Sequence, residues 1–157
     1  MKKDLTIEEY RDLMAGSPIC TIDLIFLDEN KKNILLGKRN NKPYKGIFYT
    51  FGGRLSKNED FLEVAKRIGK GETGLELDQN KLRFIGVINE NNDHSIFDDI
   101  NYHAVNLCFE YILDREVKPE PDDQHSECAW IATDDPDLHP NIKTRIEMAL
   151  GDKPTLK

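Results

Sequence analysis

The order of strand-like and helix-like stretches along the chain permits an α/β fold. Two observations bear on it. Apolar runs of strand character, led by Ile19 to Leu27, stand before and after a central amphipathic stretch in which Phe61, Leu62, Ala65 and Ile68 recur at helical spacing. The 157 residues are also enough to bury one substantial core, and nothing requires a second, so a single domain over residues 1–157 is expected.

Taken in order, Thr6 and Glu9 stand in the relation of a capping box, which opens a short helix through about Met14 that Gly16 can end. In the strand Ile19 to Leu27, alternation puts Thr21, Asp23 and Ile25 on one face and Cys20, Ile22, Leu24 and Phe26 on the other. A carboxylate among apolar neighbours is costly unless paired or solvated. Asp23 therefore either sits at a polar cleft or faces water on a half-exposed strand. Asp28 to Asn33 reads as a turn and Ile34 to Arg39 as a strand ending in the basic pair Lys38 and Arg39. The loop NNKPYKG leads into a short strand from Ile47 to Phe51.

Gly52 and Gly53 then let the backbone approach a ligand closely, and Arg54 adds a fixed positive charge suited to phosphate. The central helix is expected to begin near residue 59. Ser56 and Glu59 can close a capping box there, and Asn58 competes as N-cap. Glu59, Glu63, Arg67 and Glu72 fall on or near its polar side, where Arg67 can pair with Glu63. Each glycine inside a helix costs about 1 kcal/mol against alanine, so the end carrying Gly69, Gly71 and Gly74 is expected either to fray or to be held by tertiary contacts or metal, and to order on ligand binding.

Leu82 to Ile88 and Tyr102 to Leu113 read as further strands, separated by the polar loop NENNDHSIFDDIN. A loop of that length is usually functional or mobile. His94 and His103 could serve as general acids or bases, though isolated histidines are more often structural or exposed. In EPDDQHSECAW, Pro119 and Pro121 fix a loop, and Gln124 and His125 precede a strand from about Glu127 to Ala132. Composition alone makes this a solvated acidic loop, but a histidine is well suited to take a proton from water near neutral pH. Pro140 to Leu150 forms a last amphipathic helix, with Ile142, Ile146, Ala149 and Leu150 inward and Gly151 as its stop. Residues 152–157 are expected to be loose.

The formal net charge of −7, with 32% charged residues, argues against broad nucleic-acid binding, which needs a basic surface. An anionic substrate must then meet locally gathered arginines. Cys20, Cys108 and Cys128 are odd in number and lack C-x-x-C spacing, so neither a disulfide framework nor a zinc site is indicated, and a reducing cytoplasm is the simple expectation. No N-terminal apolar segment and no run near the roughly 18 apolar residues of a spanning helix is present, so neither secretion nor membrane insertion is expected.

The stretch GGRLSKNEDFLEVAKRIGKGETGL resembles the Nudix hydrolase box, G-x5-E-x7-R-E-U-x-E-E-x-G-U with U aliphatic. Gly53, Glu59, Arg67, Glu72, Gly74 and Leu75 stand at its spacing, across residues 53–75. Ile68 and Gly71 replace two of its glutamates, and Gly69 its aliphatic position. In most Nudix enzymes those carboxylates hold magnesium, and some act as the base that activates water for attack on phosphorus. The GDP-mannose mannosyl hydrolase branch has a similarly reduced box. SPICTIDLIF, ILLGKRNNKP and PDDQHSECAWI resemble that branch in the same order.

The resemblance implies an α/β/α sandwich with a mixed sheet and a magnesium ion, or manganese, held by Glu72, Gln124 and the Gly52 carbonyl. It implies that Arg39, Arg54 and Arg67 contact the diphosphate, with Arg67 otherwise orienting Glu72. By the same analogy His125 is the base that activates water for inverting attack on the anomeric carbon, and Asp23 orients the sugar or stabilises its developing charge. Phe51 stands where most members have proline. Glu90 and Ala104 replace a histidine and a leaving-group tyrosine, with Tyr102 close by as a substrate contact. A nucleotide-sugar substrate, GDP-mannose foremost, and a homodimer are implied. The competing expectations are phosphorus–oxygen cleavage of another nucleoside diphosphate derivative and a silent nucleotide-sugar binding domain.

Overall fold

The computed structural model describes residues 4–123 and 125–157, in which three α-helices accompany one mixed sheet. α1 (Ile7–Gly16) opens on the expected capping box: Thr6 Oγ1 accepts from the Glu9 amide, and the Glu9 carboxylate accepts from the Thr6 amide. β1 (Ile19–Leu27) is the central strand and is buried almost throughout. It runs parallel to β6 (Tyr102–Ile112) along one edge.

Its other edge is divided between two partners. β2 (Asn33–Arg39) pairs with Phe26 and Leu27, while β4 (Phe51–Arg54) pairs with Thr21 to Leu24. β2 therefore leaves β1 after a short contact. Past that contact the two-residue β3 (Phe48–Tyr49) pairs with Gly37 and Lys38, while β7 (His125–Ala132) pairs along β2 from Asn33 to Arg39. The two partners part between Leu24, paired with Phe51 of β4, and Phe26, paired with Leu35 of β2. Thr50 interrupts the single strand expected from Ile47 to Phe51, so two short strands stand there, with Ile47 in the turn before them.

Alternation along β1 sends Ile25 and Leu27 into a core under α3 (Pro140–Leu150), and Ile22, Leu24 and Phe26 into a second core under α2 (Phe61–Thr73). Asp23 shares the α3 face, as its parity requires. In α3 the inward residues are Ile142, Arg145, Ile146, Met148 and Ala149, whereas Leu150, expected inward, is 58% exposed.

α2 is capped by Asp60, whose Oδ1 accepts from the Leu62 and Glu63 amides, not by Ser56 or Asn58. Glu59 does reach back to the Ser56 amide at 2.8 Å, but this closes the turn before the helix. Phe61 is half exposed, and Val64, Ala65 and Ile68 make the buried stripe. Of the two expectations for its end, the one with tertiary support holds: α2 is continuous to Thr73, with Gly69 packed against Leu77, and Gly74 ends it in the left-handed region at φ 73°, its amide bonded to the Lys70 carbonyl.

β5 (Arg83–Asn92) runs further than expected, extending through Glu90 into the predicted loop. Residues 152–157 are not loose either. Thr155–Leu156 forms β8, parallel to β5, with amide bonds from Asn89 to the Lys157 carbonyl and from Lys157 to the Val87 carbonyl. The edge groups of β5 would otherwise lack ladder partners. Gly86 makes the approach possible, since a Cβ there would stand 2.1 Å from the Thr155 carbonyl oxygen. Among the described residues no helix is long and apolar enough to cross a membrane.

Candidate active site

Two clefts meet at the glycine turn of β4. The first, of about 710 Å³, is lined by Asp23, Arg39, the 40–45 loop, Tyr49, Glu90 and Tyr102. The second, of about 760 Å³, runs over α2 and is lined by Arg67, Ile68, Gly71 and Glu72 with Asp122 opposite. Tyr10, Gly52, Gly53 and Arg54 line both, which joins them into one groove.

Glycine is required at the junction. A Cβ on Gly52 would stand 2.7 Å from Asp23 Oδ1, and one on Gly53 3.2 Å from Ile68 Cγ1. The Gly52 amide donates to Glu72 Oε2 at 3.1 Å, tying the turn to the end of α2. In an antiparallel pair a residue directs its amide and carbonyl to the same edge, so the Gly52 carbonyl is turned to that side as well.

Glu72 is almost fully buried, and its pKa is pushed up to about 8, first by burial and then by the charge of Asp122. Arg67 does not pair with Glu63. Its Nη2 donates to Glu59 Oε2 at 2.9 Å and to the Arg54 carbonyl at 3.2 Å, which braces the turn carrying Arg54. Arg39 stands at the end of β2, its Nε donating to the Pro43 carbonyl at 2.8 Å. Four of the five tyrosines, Tyr10, Tyr44, Tyr49 and Tyr102, line the first cleft, and burial raises the pKa of each, so their hydroxyls stay protonated as donors.

The structure thus brings Asp23, Arg39, Arg54, Arg67, Gly52, Glu72 and Tyr102 to one groove. His125 is placed differently. It is the first residue of β7, its side chain 1% exposed, packed against the Phe51 ring at 5.1 Å and against Gly37, where a Cβ would stand 2.6 Å from its Cδ2. Its Nδ1 lies 2.7 Å from Asp122 Oδ1, and Nε2 is buried with no hydrogen-bond partner among the described residues. It is Asp122, not the ring, that lines the groove. Gln124 lies outside the described residues. His94 is exposed, and His103, with Nε2 2.7 Å from Asn89 Oδ1, lines neither cleft.

The NUDIX domain family model matches residues 20–149. The chain belongs to the Nudix family. It is 27% identical over 141 residues, 89% of this chain and 87% of the other, to the low-salt glycan biosynthesis protein Agl8 of Haloferax volcanii. The solved MutT NUDIX hydrolase of Burkholderia pseudomallei superposes with a TM-score of 0.68 at 20% identity, over 85% of this chain and 98% of that one. The NUDIX domain of Shewanella oneidensis NrtR, solved with ADP ribose, gives 0.68 at 16% identity, over 92% and 97%. The Nudix fold and a hydrolase class follow from these.

Nudix hydrolases generally use Mg²⁺ or Mn²⁺. The acidic end of this groove fits such an ion in one respect: two carboxyl groups, Glu72 and Asp122, line it, and carboxylate oxygens are the donors these ions take, with the Glu72 proton given up on binding. Among the described residues no group of three or more His, Cys, Asp and Glu side chains could hold it alone, which leaves room for other oxygen donors such as the Gly52 carbonyl, water and substrate.

Arg145, Tyr44 and Asp122 are site residues that the sequence reading did not single out, and it named Glu90 only as a substitution. Two signals were available. Arg145 falls three residues after Ile142, on the apolar stripe of α3, and Glu90 continues the alternation of β5 two residues past Ile88.

Proposed function

We propose that this Nudix chain hydrolyses a nucleoside-diphosphate sugar, GDP-mannose in the first instance, to the nucleoside diphosphate and free sugar by attack of water at the anomeric carbon. One observation carries the reading: along the groove α2 presents Glu72 as its single carboxylate, with Ile68 and Gly71 where further glutamates stand in the box. A lone carboxylate tied to the Gly52 amide suits a metal ligand better than a base for attack at phosphorus. The relative named for glycan biosynthesis supports a sugar nucleotide.

Arg39 and Arg54 would take the diphosphate at the junction of the clefts, Arg67 bracing the Arg54 turn through Glu59. Tyr102 would contact substrate beside Asp23. Glu72 and the Gly52 carbonyl, with Gln124, would hold a Mg²⁺ ion, which stabilises the charge that develops on the departing diphosphate. The water proton passes to the Asp122–His125 pair, with Asp122 at the groove and His125 behind it. The carbon–oxygen bond to the diphosphate breaks with its electron pair going to the leaving group, and the anomeric centre inverts. Asp23 stabilises the positive charge developing on the sugar.

Incubation with GDP-mannose and magnesium in oxygen-18 water tests this. GDP and sugar labelled at its anomeric oxygen are the expected products. GMP and sugar phosphate with label on phosphorus would move the attack to phosphorus, and magnesium-dependent binding with no product would make the chain a sugar-nucleotide binding domain.

A further inference from the structure

The floor of the first cleft is an ionic network that reaches into the C-terminal helix. Arg145 of α3 is completely buried. Its Nε and Nη2 donate to Asp23 Oδ2 at 3.1 and 2.7 Å, Nη2 also to Glu90 Oε2 at 3.0 Å, and Nη1 to the Asn141 carbonyl at 3.0 Å. Its guanidinium lies 5.0 Å from the Tyr49 ring centre.

The two carboxylates are used differently. Glu90 accepts from the hydroxyls of Tyr44 and Tyr49 at 2.7 and 2.8 Å, from the amides of Asn106 and Asn141, and from Arg145, so both its oxygens are occupied. Asp23 keeps one oxygen in reserve. Oδ2 takes both arginine bonds, while among the described residues Oδ1 receives only a long contact from Thr21 at 3.4 Å, and that hydroxyl also reaches Asn106 Oδ1 at 2.5 Å. Oδ1 points to Gly52, the residue that lines both clefts.

A planar guanidinium fixes the orientation of a carboxylate in a way that a point charge does not, and a buried one is tolerated only when such partners surround it. Resting on the reading that a nucleoside-diphosphate sugar is hydrolysed in this groove, we propose that Arg145 is a positioning residue: it anchors Asp23 Oδ2, is itself locked by Glu90, and thereby holds Asp23 Oδ1 toward the glycosyl group. Arg145 does not itself line the cleft, and of the cleft residues it touches, Asp23 is the one with a carboxylate oxygen left for substrate.

The test is a double-mutant cycle on GDP-mannose with magnesium, using Arg145→Lys, Asp23→Asn and both together, with products identified in labelled water. Arg145→Lys keeps the charge and loses the fork, so kcat falls about tenfold while KM moves less than about twofold. In the Asp23→Asn background the same change costs less than about twofold, because nothing remains to be oriented. Thermal melting and binding of GDP with magnesium, expected within about twofold of wild type, show that the groove is intact. If Arg145→Lys does not fold, Glu90→Gln, which loosens the guanidinium without removing it, lowers kcat about threefold and loses that effect in the Asp23→Asn background. Equal losses in both backgrounds, or a loss confined to KM, overturn the role of Arg145 alone. Release of GMP by the wild type overturns the wider reading together with it.

Discussion

Asp28, the residue after β1, shows how a single side chain sets the path of the chain into the site. Its Oδ1 accepts from the amides of Lys32 and Asn33 at 2.8 and 3.0 Å, and Oδ2 accepts from the Asn33 side chain at 2.7 Å. Burial works to raise its pKa, but these bonds to the charged form prevail and hold the carboxyl below its ordinary 3.8. A carboxyl depressed in the folded state contributes stability that is present above the unfolded value and is lost as pH falls through the folded one. Asp28→Ala is expected to cost about 1–3 kcal/mol near neutral pH, since two amides and a side-chain amide lose their acceptor. Urea denaturation should show that cost shrinking on going from about pH 7 to about pH 3. A penalty unchanged across that range would mean that the charged carboxylate is not what holds the turn.

At the scale of elements, the glycines of α2 separate into two kinds. A Cβ on Gly69 would stand 2.6 Å from Leu77 Cδ1, whereas one on Gly71 would meet nothing within 4 Å. Alanine in place of glycine inside a helix gains about 1 kcal/mol. Gly71→Ala should therefore raise stability by about 0.5–1 kcal/mol. Gly69→Ala should lower it by about 1 kcal/mol net, the overpacking outweighing the helical gain. Denaturation midpoints decide, and a stabilised Gly69→Ala would show that Leu77 moves aside freely. The contrast also marks what was legible in the sequence. Composition reads both glycines as helix breakers, while the reason for Gly69 lies in a long-range contact. The strands and helices declared themselves through periodicity, as in β1, where even the face of Asp23 was readable. β8 did not, because Thr155 and Leu156 carry no pattern and owe their strand to the free edge of β5 and the missing side chain of Gly86. The groove residues matching the family motif were legible by spacing, but the burial of His125 depends on the packing of Phe51 and Gly37 around it.

For the molecule as a whole, the net charge of −7 coexists with a groove where three arginines face two carboxylates at its acidic end. Glu72, raised from an ordinary 4.5 to about 8 by burial first and Asp122 next, holds a proton in the folded state that the unfolded chain has already lost above 4.5. Between those values the folded state binds more protons, so its stability falls as pH rises, and without metal the melting temperature should decline through that window. On the proposed reading, a Mg²⁺ ion taking Glu72 as a ligand would replace the proton and reverse the sign. Binding only the folded state at about a hundred times its dissociation constant, it adds about 2.7 kcal/mol, or about 5–10 °C for a chain of this length. The gain should be small near pH 6, where the ion competes with the proton, and full above about pH 8. Melting curves with magnesium or with chelator, at both pH values, measure it directly. Glu72→Gln should abolish both the decline with pH and the rise with magnesium. A variant still stabilised by magnesium as the wild type is would remove Glu72 from the metal site and leave the acidic end of the groove to Asp122.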